Sequence, residues 1–340
     1  MTDIFIKSFN RAFYLDRCLQ SVFRFVEGDF QVTVLDDGTP EKYLEIIQKK
    51  YPSVNIIRSE NYQKKQLAIA ENLETGKEID GFQIPTELWI NAAKNASEFF
   101  IMTEDDVWFT EKTNLNGLVN EMKTQDISLI KLGWLGNFND DKNIDISAIS
   151  EKVNRTIPKG LFLGSQKVME AFFYNKYKFF TLLYKLGKVD NSTRRKYWSL
   201  NSILMGLYKK EYWLEVWKNM HGKVDEKRQL INAAVYFRNQ KNNKNFVSRL
   251  KNEVMKTTFQ SSATNSYHMY GHEFDVNLFN HQINEAWYNG AFDILQNFPK
   301  DFSIPYFESF LNEKINKEEF RNWAAKFKTQ YKNLGCDVEN

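Results

Sequence analysis

Three consecutive carboxylates, Glu104, Asp105 and Asp106, follow residues 98–102, which have the pattern of a buried strand. Neighbouring like charges repel each other, and a bound cation relieves that repulsion. Carboxylate oxygens are preferred ligands of Mg²⁺ and Mn²⁺, which commonly bridge proteins to phosphate groups. The triplet therefore predicts a divalent metal site. The alternative is a solvated acidic helix start, stabilised by the helix dipole.

A second acidic pair, Asp36 and Asp37, precedes Gly38 at the end of another predicted strand. The glycine permits a close approach of the backbone, and the acids can hydrogen-bond a base or a ribose. The alternative is an ordinary turn, which Asp-Gly pairs favour for backbone reasons.

The elements that hold these acids follow from the hydrophobic pattern. The first hundred residues alternate between strand and helix periods, which is typical of βαβ units and a mainly parallel sheet. Strands are predicted over 4–6, 31–35, 54–57 and 98–102, and helices after residues 10, 40 and 85. Ligands of such sheets bind beyond the carboxyl ends of the strands, where the acidic triplet should lie.

The rest of the chain has a less regular pattern. Residues 61–82 are predicted as loop and irregular helix, and two further strands are predicted over 127–132 and 160–163. Beyond about residue 165 the pattern is mostly helical.

Composition excludes several classes of protein. The 340 residues are 42% hydrophobic and 26% charged with a net charge of +3, so we expect a globular chain with no nucleic-acid partner. No apolar run approaches the ~18 residues of a membrane span, and the first residues lack the pattern of a signal peptide. The two cysteines, Cys18 and Cys336, are too few for a disulfide framework. We therefore expect a cytoplasmic protein.

Four blocks of the sequence resemble GT-A type glycosyltransferases, above all glycosyltransferase family 2. Residues 4–11 resemble the family's first strand and its Tyr-Asn-Arg turn, and residues 34–39 its Val-Asp-Asp-Gly-Ser block. Residues 91–108 resemble its helix, strand and DxD region, and residues 160–165 a strand lined with small residues on the acceptor side. The first three blocks occur in the family's order and spacing over residues 1–110.

The resemblance implies an α/β fold of the GT-A (Rossmann-like) type with a mainly parallel central sheet and a C-terminal helical extension. It implies a glycosyltransferase domain over 1–275, with a nucleotide-binding half (1–110) and an acceptor half (111–275), followed by helices over 276–340. The reaction it implies is the transfer of a hexosyl or N-acetylhexosaminyl group from a nucleotide-sugar to a hydroxyl of a glycan or a lipid-linked acceptor, in polysaccharide biosynthesis.

The resemblance also implies site residues. Asp37 would bind the nucleotide base, Asp106 would bind Mn²⁺ or Mg²⁺, and several GT-A enzymes add a late histidine as a metal ligand. The side chains implied around the donor and its metal are Lys7, Phe9, Asp37, Glu104, Asp105, Asp106 and His268. His268 and His272 are four residues apart, a spacing that suits one helix face, although a partly buried polar histidine is the alternative. A flat Phe9 and an Asp37 that can accept the N3 proton of uracil favour a UDP-sugar.

An inverting transferase needs a carboxylate that takes the proton of the acceptor hydroxyl. The resemblance implies inversion, with this base at the start of a helix well downstream of the DxD region. Asp225 and Glu226 precede a helix predicted over 227–238 and fit best, with Asp190 as the second choice. The alternative is that Asp225 caps the helix and Glu226 complements its dipole.

An aromatic run with interspersed lysines covers residues 171–187. Core packing with lysines that extend to solvent would explain it. The functional alternatives are an acceptor-side lid and a peripheral membrane contact that meets a lipid-linked acceptor. For the whole chain, the alternative to an enzyme is a non-catalytic carbohydrate-binding or assembly protein with the same fold.

Overall fold

A computed structural model describes residues 1–137, 142–263 and 274–338. Its strands are β1 (Thr2–Ser8), β2 (Val26–Glu27), β3 (Phe30–Asp36), β4 (Asn55–Arg58), β5 (Phe99–Glu104), β6 (Val107–Phe109), β7 (Thr113–Asn114), β8 (Leu129–Lys131), β9 (Ile144–Ala148), β10 (Val153–Pro158), β11 (Gly206–Lys209), β12 (Val247–Leu250) and β13 (Met255–Thr257). Its α-helices are α1 (Ala12–Phe25), α2 (Glu41–Lys50), α3 (Tyr62–Thr75), α4 (Thr86–Asn95), α5 (Leu115–Thr124), α6 (Gln166–Phe173), α7 (Phe179–Lys185), α8 (Lys210–Val216), α9 (Glu226–Asn239), α10 (Val276–Tyr288), α11 (Ile304–Glu308) and α12 (Lys317–Asn333).

Nine of these strands form the central sheet, in the order β4-β3-β1-β5-β11-β8-β12-β10-β9. The four strands from the first third of the chain, β1, β3, β4 and β5, are all parallel, and helices connect each of them to the next. Every strand of this sheet except β11 and β10 runs in the same direction. The predicted fold class, α/β with a mainly parallel central sheet, is confirmed.

Helices cover both faces of the sheet and form two cores. On one face α1 buries Leu15, Leu19 and Val22, a stripe at helical spacing, among apolar residues of β1, β3 and β5. On the other face α4, α8 and α9 pack around Phe100 and Tyr208. The middle strands of the sheet are therefore buried between two helical layers, and the strand ends are left as the place for a ligand.

The C-terminal helices share the first of these cores. Phe279 of α10 packs against Phe307 of α11 and Phe320 of α12, and Phe307 in turn packs against Phe13 of α1. The boundary expected at residue 275 falls directly before α10, and the division of the chain into a domain and an extension stays a prediction. None of the helices in the described part of the chain is long and apolar enough to cross a bilayer.

Two local predictions were wrong. Residues 160–163 are not a strand: the strand is β10, and Gly160, with φ of +62°, turns the chain just after Pro158. The segment 61–82 contains a regular helix, α3, whose weak pattern arises because its inner face carries polar residues such as Lys65 and Asn72. The mostly helical second half also contributes β11 and β12, short strands that complete the sheet.

Candidate active site

The strand ends bring the two acidic groups of the sequence, at the ends of β3 and β5, to one edge of the sheet. β1 lies between β3 and β5, with Ser8 opposite Asp36 and Lys7 opposite Glu104. Because parallel strands end on the same side, the turns after β3 and β5 meet the turn after β1. The predicted position of the acidic triplet is therefore the one observed.

Arg11 holds the two aspartates that follow β5. Its guanidinium forms ion pairs with both, and the distance from Nη1 to Oδ2 of Asp106 is 2.8 Å. Oδ2 of Asp105 also accepts the backbone N–H of Phe9 at 3.2 Å. All three charged side chains are buried, so the first turn of the chain supplies the cation that neutralises the carboxylates.

The electrostatics of this group reflect that burial. Burial raises the pKa of Asp105 and Asp106, and Arg11 opposes the rise. Burial disfavours the charge on Arg11 as well, but the surrounding carboxylates raise its pKa above the usual range. Oδ1 of Asp106 is buried and has no hydrogen-bond partner among the described residues. This oxygen is a buried acceptor that a cation or a donor group could satisfy.

Asp37 is also paired with a buried cation. It forms an ion pair with Lys65 of α3, and Nζ of Lys65 further donates to the carbonyl of Gln83 at 3.1 Å. Burial raises the pKa of Asp37, and Lys65 lowers it. Gly38 has φ of +143°, and a Cβ there would lie 2.9 Å from Cβ of Lys65, so the turn needs glycine. The ring of Phe9 lies 5.7 Å from Nζ of Lys65.

Glu104 is the remaining strand-end acid that is paired with a cation, and its partner is Lys7. Its ammonium forms an ion pair with Glu104 and lies 4.7 Å from the centre of the Trp89 ring. Lys7 is 6% exposed, so this position holds a buried cation that is neutralised from β5.

A cavity of about 490 Å³ opens beside these strand ends. Its wall contains three carboxylates, Glu104, Asp106 and Glu226, and aromatic side chains that include Trp134, Trp198 and Tyr331. The structure thus brings Glu226, one of the two candidate general bases, to the same cavity as Asp106, the predicted metal ligand. The predicted site residues that do not line this cavity are Lys7, Phe9, Asp37, Asp105 and Asp225.

The two acids at the start of α9 differ in what they contact. Asp225 is the N-cap residue: its side chain accepts the N–H of Arg228 at 2.9 Å and the hydroxyl of Tyr174 at 3.0 Å. Glu226 faces the open cavity and keeps access to solvent. Partial burial of its carboxylate, together with the charge of Asp225, nevertheless raises the pKa of Glu226. Asp225 therefore positions the helix, and Glu226 is the acid available to a ligand.

Asp190, the second choice for the base, does not line this cavity either. Asp190 is exposed, and its side chain accepts hydrogen bonds from Ser192 and Thr193, which lower its pKa. His268 and His272 lie outside the described residues. Within the described ranges, no group of three His, Cys, Asp or Glu side chains is arranged to hold a metal ion.

Sequence reasoning assigned no role to Arg11 and did not consider Lys65, the cations that pair with the strand-end acids. Arg11 directly precedes α1 and its position in the Tyr-Asn-Arg-like turn was a usable signal. Lys65 had none, because a lysine in a weakly patterned segment resembles any surface lysine. The aromatic wall at Trp134, Trp198 and Tyr331 comes from three distant parts of the chain and has no local motif.

One family model matches part of the chain. Residues 3–74 match glycosyl transferase family 2. This match confirms the resemblance found in the sequence, and its range contains β1, α1, Asp37 and Lys65. No curated protein matches the chain in sequence.

Solved structures that are similar to the chain include the following three. TarS from S. aureus is 13% identical with a TM-score of 0.41, and the match covers 100% of this chain and 55% of TarS. The chain therefore spans just over half the length of that protein. Glucosyl-3-phosphoglycerate synthase from Mycobacterium tuberculosis, solved with Mn²⁺, uridine diphosphate and glucosyl-3-phosphoglycerate, is 10% identical over 86% of this chain and 81% of that one, with a TM-score of 0.39. The galactosyltransferase LgtC is 12% identical over 75% and 86%, with a TM-score of 0.32.

Proposed function

We propose that the chain is a glycosyltransferase that moves a hexosyl or N-acetylhexosaminyl group from a nucleotide-sugar to an acceptor hydroxyl, with inversion. The observation that carries this proposal is the cavity that contains Asp106 and Glu104 from the end of β5 and Glu226 from the start of α9. The family 2 match over residues 3–74 supports the nucleotide-sugar as donor.

Glu226 is the general base of the proposed reaction. The acceptor oxygen forms a bond to the anomeric carbon while its proton passes to the Glu226 carboxylate. The bond between that carbon and the donor phosphate oxygen breaks, and its electron pair stays on the phosphate oxygen, which leaves as part of the nucleoside diphosphate. A carboxylate with a raised pKa takes this proton more readily than an ordinary glutamate, and the pKa of Glu226 is raised.

The donor is held at the strand ends. Asp106, with a buried and unpartnered Oδ1 among the described residues, fits one ligand position of Mg²⁺ or Mn²⁺, and Glu104 lines the same cavity. Such an ion, when bound, neutralises the leaving diphosphate. His268 stays a proposed further ligand outside the described residues. In this proposal Asp105 or Glu104 lies near the donor ribose, Lys7 contributes to the donor site, and Phe9 and Asp37 hold a uracil base.

The pairings at the strand ends imply an exchange when the donor binds. Asp37 is paired with Lys65, and Asp106 with Arg11, so ligands that use these carboxylates must share or displace a buried cation. The released guanidinium and ammonium groups are then free to contact the negative charge of a nucleoside diphosphate.

The aromatic side of the cavity suits the acceptor. Trp134, Trp198 and Tyr331 present flat apolar surfaces, which pack well against the faces of sugar rings. We therefore propose a hydroxyl of a glycan or a glycolipid as the acceptor.

A second candidate function is a non-catalytic carbohydrate-binding or assembly protein. The observation that favours it is the same pairing: Asp37, Asp105 and Asp106 are already neutralised by Lys65 and Arg11. In such a protein the pairs would be permanent, and the strand ends would bind neither metal nor nucleotide.

Hydrolysis and transfer measured with a panel of nucleotide-sugars, with and without Mn²⁺, separate the two functions. We expect turnover that depends on Mn²⁺ and that Asp106→Asn abolishes, because the amide keeps the shape of the side chain without its charge. Calorimetry with UDP, GDP and CMP in Mn²⁺ tests the donor, and UDP should bind most tightly. Wild-type activity in Asp106→Asn at saturating Mn²⁺ would contradict the metal assignment.

A further inference from the structure

The aromatic–lysine segment, which we define as residues 171–188, contains four lysines and no aspartate or glutamate. It comprises the last residues of α6, a tight turn, α7 and the residues just after α7. The segment has two different faces. The inner face packs into the second core, where Phe172 and Phe173 are buried and Phe179, Phe180 and Leu183 are partly buried. Core packing therefore explains the inner face of the segment and leaves the outer face unexplained.

The outer face is apolar although it is in solvent. Tyr177 is 98% exposed, Leu182 54% and Leu186 61%, and Tyr184 is exposed between the two leucines. Other exposed large apolar side chains among the described residues are scattered along the chain, whereas these four fall within residues 177–186. Exposed apolar side chains that are this concentrated in one short segment are typical of a binding surface.

The charge on this face is of one sign. Lys178, Lys185 and Lys188 are exposed and form no ion pair among the described residues. Lys176 pairs with Glu170 at 3.1 Å, outside the segment. Three free ammonium groups beside four exposed apolar side chains complement a surface that is both anionic and apolar.

The turn before α7 fixes the direction of Tyr177. Asn175, Tyr177 and Lys178 all have φ between +51° and +56°, which is uncommon for residues with bulky side chains. The amide of Asn175 holds the turn, since its Oδ1 accepts the N–H of Thr181 at 3.2 Å and its Nδ2 donates to the Thr181 hydroxyl at 3.1 Å. The outward position of Tyr177 is thus built into the segment.

We propose that the aromatic–lysine segment binds the surface of an anionic lipid bilayer. Tyrosine and leucine side chains insert at the level of the headgroups, and lysines beside them attract anionic lipids. A bilayer satisfies both features at once, because its interface offers negative charge directly above an apolar layer.

The segment is connected to the candidate active site. Tyr174 donates its hydroxyl to Asp225 at 3.0 Å, and Arg228 of α9 pairs with Glu170 of α6 at 2.7 Å. Glu226, which directly follows Asp225 in the sequence, lines the cavity. This further step rests on the proposed function: an acceptor anchored in the same bilayer would be held near the base, which points to a lipid-linked acceptor.

Vesicle co-sedimentation without nucleotide or acceptor tests the proposal. We expect the wild-type chain to sediment with phosphatidylcholine vesicles that contain phosphatidylglycerol, to bind pure phosphatidylcholine weakly, and to be released by salt. The variant Lys178→Gln/Lys185→Gln/Lys188→Gln should bind about a hundredfold more weakly, given roughly 1 kcal/mol for each lysine near the surface. The matched control Lys64→Gln/Lys241→Gln/Lys244→Gln, which neutralises three exposed lysines elsewhere, should bind as the wild type does.

The apolar contribution has its own pair of variants. Leu182→Ala/Leu186→Ala should weaken binding by about tenfold or more, whereas Leu67→Ala, at a leucine that is 72% exposed on α3, should not change it. Absence of wild-type binding to anionic vesicles, or equal binding by the two lysine triples, would overturn the proposal. Neither result bears on nucleotide-sugar hydrolysis in solution, so failure here is distinct from failure of the proposed function.

Discussion

The carboxylates at the strand ends and the carboxylate at the start of α9 differ in the charged groups that they contact. Asp37, Asp105, Asp106 and Glu104 are each paired with a cation from the same half of the chain. Glu226 has no ion-pair partner among the described residues, and the like charge of Asp225 helps to raise its pKa. At the strand ends the paired cations oppose the rise in pKa that burial causes, whereas at Glu226 burial and the charge of Asp225 both raise the pKa.

This difference separates two tasks. Buried acids that must stay ionised in the empty protein need a counter-ion, because an unpaired buried charge costs several kcal/mol. A general base needs the reverse, a pKa raised toward the working pH. The pairing at the strand ends therefore suits the proposed binding of a charged ligand, and the unpaired Glu226 suits the proposed proton transfer. The predictions below test that division, beginning with the largest expected effect.

Of the two acids at the start of α9, Glu226 should have the much larger effect on the reaction when it is replaced. We expect Glu226→Gln to lower turnover by roughly 10² to 10⁴ and to leave the affinity for the donor almost unchanged, because the amide cannot take the acceptor proton. Steady-state kinetics together with calorimetry of UDP binding check this.

The matched control is Asp225→Asn, since the asparagine oxygen can still cap α9. Turnover in that variant should stay within a small factor of the wild type. Normal turnover in Glu226→Gln would place the base elsewhere, and Asp190→Asn would be the next variant to measure.

Removing Arg11 should have the largest effect on stability. Arg11→Leu leaves Asp105 and Asp106 buried without their cation, so we expect a loss of about 3–5 kcal/mol in the free energy of unfolding. Urea denaturation at neutral pH measures it. Because a divalent ion can take the place of the guanidinium, Mn²⁺ should stabilise Arg11→Leu more than it stabilises the wild type.

The triple variant Arg11→Leu/Asp105→Asn/Asp106→Asn is the control for this pairing. Without the buried charges it should recover part of the lost stability. If Arg11→Leu unfolds at the same urea concentration as the wild type, the ion pairs with Asp105 and Asp106 are not what neutralises the strand ends.

Much of the strand-end group could be predicted from the sequence because its signal is local. Asp37 and Asp106 each follow a short apolar strand, and parallel strands place such residues together by topology alone. The pairing cations could not be predicted, since Arg11 and Lys65 reach their partners only through the fold. The same limit applied to the sheet, where β11 is inserted between β5 and β8 from a region that looked helical.

The sequence also could not separate Asp225 from Glu226. Two adjacent acids before a helix look equivalent, and only the backbone shows which one caps the helix and which one faces the cavity. Asp225 nevertheless influences the proposed reaction, because its charge contributes to the raised pKa of Glu226.

This contribution gives the smallest predicted effect and the finest test of the comparison. Glu226 must be deprotonated to act as a base, so activity should fall as the pH is lowered through its pKa, which lies above the ordinary range of glutamate. Asp225→Asn removes one cause of that rise, and the acid limb of the pH profile should therefore move to lower pH while its plateau stays close to that of the wild type. Asp225→Ala should move the limb in the same direction and, by losing the cap, also cost about 1 kcal/mol of stability. A profile of turnover against pH for the three proteins measures the shift. An acid limb that stays in place in both variants would show that the titrating base is not the neighbour of Asp225.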